Sequence, residues 1–218
     1  MKKLSHTSKH EVFIPDMDKF EKIKLEMQKA LNEKRFLHVL SVAREAERLA
    51  KIFSLDTENI ITAALLHDCT KNVKYEEHLA ICKKYKVALR DEDLKSKEVL
   101  HAKTGAIIAR EVFGENDEVF SMISSHSTGK EDMTVSEKII FLADFIEPER
   151  PWEACKKARK NFYDKIEKAS CQEEKIRVLN DTVLWVLEFT LSYLEEKGAY
   201  IHPDTEKARD RLKTNSFS

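Results

Sequence analysis

Four glycines and four prolines are the only residues of their kind in 218 positions, and the turns that join strands usually need one or the other. A strand-rich fold is therefore disfavoured, and the apolar residues fall at helical spacing instead. Phe20, Ile23, Met27, Ala30 and Leu31 recur at intervals of three and four from Asp16 onward. Val39, Val42, Ala43, Ala46, Leu49, Ala50 and Phe53 mark a second helix. Ile60, Ile61, Ala63, Ala64, Leu65 and Leu66 are apolar nearly all round, as in a helix at the centre of a domain. Asp56 is placed to cap that helix by accepting an orphan backbone N–H.

Further along, Tyr75–Tyr85 reads as a short amphipathic helix and Arg90–Lys97 as a polar connector. A helix through Val99, Ile107, Ile108 and Phe113 closes at Gly114, and Glu115–His126 is the next. After a loop over Ser127–Met133, Thr134 and Glu137 have the spacing of a capping box ahead of Ile139–Leu142. Pro148 and Pro151 end that helix. Two more cover 152–169 and 172–197, with Gly198 closing the second, and a short one follows His202-Pro203-Asp204. No repeat or linker divides the chain. The expectation is an all-α single domain over residues 16–213, with a loose extension at 1–15 and a tail at 214–218.

Composition narrows the function. Hydrophobic residues make up 42%, enough for a sizeable core, and 38 Lys and Arg against 39 Asp and Glu leave a net charge of −1. That balance lacks the basic excess of a protein that binds nucleic-acid polymers. The longest apolar stretches, Ile60–Leu66 and Val183–Leu187, are far below a membrane-spanning length. Met1–His10 is basic without an apolar region behind it, unlike a secretory signal. The cysteines at 69, 82, 155 and 171 form no CxxC pair, and read as reduced thiols in a cytoplasm. The apolar pattern carries more hydrophobic surface than one domain of this size needs, which is compatible with a homodimer.

The chemistry lies where ionisable residues interrupt apolar segments, because burying them is costly unless they are paired or bound to a metal. His67-Asp68 closes the most apolar helix. His38 stands just before an apolar face, His101 lies between Leu100 and Ala102, and His126 ends the helix carrying Val119, Phe120 and Ile123. Asp144 interrupts Ile139-Ile140-Phe141-Leu142-Ala143-Asp144-Phe145-Ile146. Imidazole and carboxylate together suit iron, manganese, zinc or cobalt better than magnesium or calcium alone. His6, His10 and His78 have polar neighbours and read as surface residues, and His202 as a turn residue. Trp185 reads as core.

The order His38 … His67-Asp68 … Asp144 resembles the HD-domain metal-dependent phosphohydrolase superfamily. Leu65-Leu66-His67-Asp68-Cys69-Thr70-Lys71, Leu100-His101-Ala102, His126-Ser127-Thr128-Gly129, Leu142-Ala143-Asp144-Phe145-Ile146-Glu147-Pro148 and Ile201-His202-Pro203-Asp204-Thr205 resemble the signatures of its YqeK family. The resemblance spans roughly residues 18–213. It implies a helical HD-domain bundle acting as a symmetrical bis(5'-nucleosyl)-tetraphosphatase, in which metal-activated water attacks a central phosphorus of diadenosine tetraphosphate and releases two ADP. By position it implies His38, His67, Asp68 and Asp144 as metal ligands. His101 and His126 would complete a second metal site or contact phosphate directly. Asp68 and Lys71 would be catalytic, and Lys71, Thr128, Gly129 and Arg150 would bind substrate. The cofactor expected is one or two divalent transition-metal ions, iron in preference to manganese or cobalt. Glu149 departs from the glycine that the family pattern places before Arg150. The alternatives are an HD-type nucleotidase or guanosine polyphosphate hydrolase, and a nucleotide-binding module without turnover.

Overall fold

Helices form where the apolar spacing places them. The computed structural model of the protein describes residues 18–216. Among them it forms α1 (Lys19–Ala30), α2 (Glu33–Ile52), α3 (Glu58–Leu66), α4 (Tyr75–Lys84), α5 (Asp91–Lys95), α6 (Leu100–Glu111), α7 (Asp117–Ser125), α8 (Val135–Ile146), α9 (Glu153–Ile166), α10 (Gln172–Glu196) and α11 (Pro203–Ser216), with no strand. The expected extension over residues 1–15 lies outside the described residues. None of the described helices is long and apolar enough to cross a membrane.

Helix α3 is hydrophobic on every side, so it can be buried only if other helices surround it. Helices α1, α2, α6, α7 and α8 all pack against it, and Ala63, Ala64, Leu65 and Leu66 are 0% exposed. Burying each leucine is worth about 1.5–3 kcal/mol. The His67-Asp68 pair therefore emerges from the best-anchored stretch of the chain.

Capping sets where the site-bearing helices begin. Asn32 accepts the Arg35 N–H at 2.9 Å and starts α2 one turn before His38. Asp56 accepts the Glu58 N–H at 3.1 Å, as its position suggested. The Thr134–Glu137 box forms in both directions: the Thr134 hydroxyl accepts the Glu137 N–H at 3.2 Å, and Glu137 accepts the Thr134 N–H at 2.8 Å.

The structure corrects three readings. The polar connector contains α5 and a 3-10 turn at Lys97–Val99, because Asp93 reaches back to the Arg90 N–H at 2.9 Å. His202 is a buried partner of Asp93, with Nε2 3.2 Å from Oδ1, and Arg90 also grips Asp204 at 2.6 Å. This cluster ties α5 to the start of α11. His78 is buried too, its Nδ1 2.7 Å from the Thr104 hydroxyl. Polar neighbours concealed His78 and the following Pro203 concealed His202, since each imidazole is covered by a helix distant in the chain. His202→Ala leaves the Asp93 carboxylate short of a buried partner and is expected to cost about 1–3 kcal/mol. Thermal denaturation of the variant beside wild type checks it, and an unchanged Tm would refute it.

Candidate metal centre

Helix geometry aims the histidines. His67 and His126 directly follow the last residues of α3 and α7, and each folds its ring back onto the carbonyl three residues earlier. His67 Nδ1 lies 2.6 Å from the Ala64 oxygen and His126 Nδ1 2.7 Å from the Ile123 oxygen. His101, at the start of α6, does the same with the Glu98 oxygen at 2.7 Å. A carbonyl only accepts, so Nδ1 carries the proton in each ring and Nε2 presents a lone pair. His38 Nδ1 is 3.1 Å from a Glu147 carboxylate oxygen. Gly105 brings α6 close enough for this convergence: a Cβ there would meet the His67 oxygen at 3.3 Å and Cys69 Sγ at 3.5 Å.

The four Nε2 atoms converge on Asp68. Its Oδ2 is 3.5 Å from His67 Nε2 and 3.8 Å from His38 Nε2, while Oδ1 is 3.2 Å from His101 Nε2 and 3.9 Å from His126 Nε2. Asp144 Oδ1 closes the first side, 3.0 Å from His38 Nε2 and 3.9 Å from His67 Nε2. Ligand atoms of His38, His67 and Asp68 lie within 4.8 Å of one another, as do those of His67, His126 and Asp144, and those of Asp68, His101 and His126.

These residues fit a divalent metal. The Nε2 atoms of His38 and His67 are buried and make no hydrogen bond, a costly condition for a polar atom. The Nε2 atoms of His101 and His126 face each other at 3.2 Å, both as lone pairs. Three backbone carbonyls and the Glu147 carboxylate, each on an Nδ1 atom, fix the tautomers, as is usual for metal-binding imidazole. A cation among these lone pairs satisfies them together.

The protonation states agree. Burial pushes the His126 imidazole down to about 3, helped by His67 and His101 beside it, and burial lowers His101 as well. Burial would raise both carboxyls, but His67 and His101 hold Asp68 well below the usual range, and Arg150 and His38 do the same for Asp144. For His38, burial is outweighed by the Asp144 and Glu147 carboxylates beside it, and its pKa is raised. Burial lowers the Lys71 ammonium and pushes the Cys69 thiol up to about 12, which keeps it protonated and unreactive.

A cleft of about 790 Å³ opens beside His38, with Arg35, Leu37, Arg44, Glu149, Arg150 and Trp152 among its lining residues. Arg150 bonds Asp144 through Nη2, and its Nε is buried without a partner. Lys71 Nζ stands 3.1 Å from His101 Nε2. Two residues of the site escaped the sequence reading. Arg35 donates to Asp68 Oδ2 at 2.6 Å, and its signal was a position one helical turn before His38. Glu147 orients His38, and its signal was a carboxylate one turn after Asp144.

Thr128 and Gly129 are not among the residues lining the cleft. The Thr128 hydroxyl donates to the Gly129 oxygen at 2.9 Å, and the Gly129 N–H is already given to the Ser125 oxygen at 2.8 Å. Gly129 has φ +69°, and a Cβ would meet Ala208 Cβ at 3.0 Å. The pair closes α7 against α11, with the Thr128 hydroxyl and the Gly129 N–H both given to backbone oxygens.

The family model described as HD domain matches residues 35–149. Over 183 residues the chain is 33% identical to a protein of Halalkalibacterium halodurans named symmetrical bis(5'-nucleosyl)-tetraphosphatase, with 84% of this chain and 90% of that one covered. A Staphylococcus aureus protein of the same name is 40% identical over 133 residues, 60% of this chain and 67% of its own. A crystal structure from Clostridium acetobutylicum, described as a predicted HD superfamily hydrolase involved in NAD metabolism, matches with a TM-score of 0.80 at 34% identity, covering 90% of this chain and 97% of that one.

Proposed function

The chain belongs to the HD domain family and, within it, to the symmetrical bis(5'-nucleosyl)-tetraphosphatases, and on that premise we propose that it splits diadenosine tetraphosphate into two ADP with the help of divalent metal. The observation that carries this reading is Asp68 between two pairs of imidazoles, one oxygen turned to each, at the edge of an arginine-lined cleft. Such a carboxylate can serve two ions at once. We take His38, His67, Asp68 and Asp144 as one ligand set and Asp68, His101 and His126 as the other. Iron is our preference within the coarser requirement for a divalent metal, and manganese and cobalt suit the same donors. A cytoplasmic homodimer, with residues 16–213 as its catalytic domain, completes the proposal.

A divalent ion held there supplies a Lewis acid and a potent nucleophile at neutral pH. The chain's own residues do the rest. The imidazoles keep their lone pairs aimed inward because their Nδ1 atoms are tied to backbone and Glu147, and Arg35 holds Asp68. Arg150, with its unpartnered Nε, and Lys71 offset the charge that develops on the phosphoryl oxygens during in-line displacement. ADP leaves as a tolerable anion, so no strong general acid is required.

Anion-exchange analysis of products from diadenosine tetraphosphate, with manganese or ferrous ion added, tests the proposal. ADP alone supports it. ATP with AMP would overturn the binding register. No turnover, with a nucleotide or guanosine polyphosphate cleaved instead, would leave the hydrolase and reject the substrate, and no turnover of any of them would favour the binding module.

Glu149 lines the cleft and is exposed, so a polyphosphate meets its charge through water. Glu149→Gln is expected to lower KM about 1.4- to 5-fold at low salt, an exposed pair being worth about 0.2–1 kcal/mol. The gain should shrink at high salt. Steady-state kinetics at two ionic strengths checks it, and a raised KM would show that the carboxylate assists binding.

A further inference from the structure

Trp152 is 58% exposed, a large apolar surface to leave in water. It is not a scattered surface residue, since it lines the cleft that borders His38. Its ring centroid lies 5.3 Å from the Arg150 guanidinium carbon, and the same guanidinium bonds Asp144. The indole is thus one side chain away from the metal ligands. Leu37, 54% exposed on α2, lines the same cleft. Two apolar side chains stand there among the cations Lys34, Arg35, Arg44 and Arg150. A ligand that matches both features has a flat apolar ring joined to a chain of phosphates.

The backbone under Trp152 is held. Pro151 restricts the chain before it, and its carbonyl accepts the Lys156 N–H at 3.1 Å at the start of α9. The platform is therefore fixed in place while its face stays open. Trp185 offers no comparable face, being half-buried and stacked on Phe189 at 5.6 Å with an interplanar angle of 10°.

We propose that Trp152 is a base-stacking residue, receiving a nucleobase of the substrate while Arg150 beside it engages the phosphates. The proposal rests on the nucleotide reading above and adds to it the residue that selects a nucleotide over bare polyphosphate. Stacking on an indole tolerates every base, so this residue selects for a base without selecting which one.

The chain has two tryptophans, so Trp185→Phe leaves Trp152 as the sole indole reporter. Titrating that variant with ADP is expected to quench its emission, whereas tripolyphosphate, which has no base, is expected to leave it unchanged. Trp152→Ala in the otherwise native protein is expected to raise KM for diadenosine tetraphosphate roughly 10-fold, with the effect on KM rather than kcat, and Trp152→Phe to restore most of the loss. An emission indifferent to ADP, together with an unaltered KM in Trp152→Ala, would overturn the stacking role while hydrolysis of diadenosine tetraphosphate still stood. Quenching by ADP in a protein that hydrolyses no dinucleotide would support the stacking site and sink the substrate assignment instead. A Trp152→Ala variant that sediments as a smaller species with unchanged KM would place the indole at a subunit contact and refute the proposal.

Discussion

Asp68→Ala is expected to lower turnover of diadenosine tetraphosphate by at least about 10³-fold, the several kcal/mol that a metal centre contributes, while helix content stays as in wild type. The carboxylate is 2% exposed and, among the described residues, is the one side chain with ion-pair contacts to all four imidazoles, so its loss would remove a ligand from both proposed sets at once. The fold does not lean on it. Helix α3, which delivers it, is held by Leu65 and Leu66 and the five helices around them. Asp68→Asn is the sharper variant, because it keeps the volume but cannot bridge two cations through a pair of anionic oxygens. Turnover, bound metal by elemental analysis and far-ultraviolet circular dichroism are measured on the same preparations. A variant that turns over at the wild-type rate would remove the centre from the reaction.

Stripping the metal is expected to lower Tm by about 10 °C. Saturating a site at a thousand times its Kd is worth about 4 kcal/mol, and a chain of this length shifts about 2–4 °C per kcal/mol. The metal-free protein should in addition lose stability in acid, and the direction follows from the histidines. Folding pushes His126 from its ordinary 6.5 to about 3, so below pH 6.5 the unfolded chain takes up a proton that the folded one refuses. The stability present above pH 6.5 therefore drains as pH falls towards 3, at up to about 1.4 kcal/mol per unit. By pH 5 that is roughly 2 kcal/mol from His126 alone, and His101 is shifted in the same direction.

His38 does not offset the acid loss. Its pKa is raised, so its contribution is complete below pH 6.5 and is lost only as pH climbs through the raised value. The contributions of Asp68 and Asp144, both lowered, fail only below the ordinary carboxylate value of 3.8. Thermal melts of chelator-treated protein from pH 5 to 8 should peak near neutrality. A Tm that rises from pH 7 to pH 5 would mean that His101 and His126 are not held neutral in the folded state.

Most of the helical pattern and the members of the His/Asp cluster were legible in the amino-acid order, for a reason visible at Asp144 and His67. An ionisable residue inside an apolar run stands out because burial without a partner is so unfavourable. The same rule missed His78, beside Glu76 and Glu77, and His202, read as a turn residue before Pro203, although their rings are buried by Thr104 and Asp93 from elsewhere in the chain. It also missed Arg35 and Glu147, since charged residues near helix ends are ordinary until a partner is seen. Thr128 and Gly129 show what residue order could not: the Thr128 hydroxyl and the Gly129 N–H are given to backbone oxygens where α7 closes.

Residue order alone determined that the chain is helical, that α3 is its centre, and that His38, His67, Asp68, His101, His126 and Asp144 sit where burial demands a partner. Those properties depend on spacing and local chemistry, which a single helix expresses by itself. The crossing of α2, α3, α6, α7 and α8 decided which Asp68 oxygen meets which imidazole, that every Nε2 points inward, and that Trp152 shares a cleft with the arginines. Those relations join residues up to more than a hundred positions apart, so only the packing of helix against helix could set them.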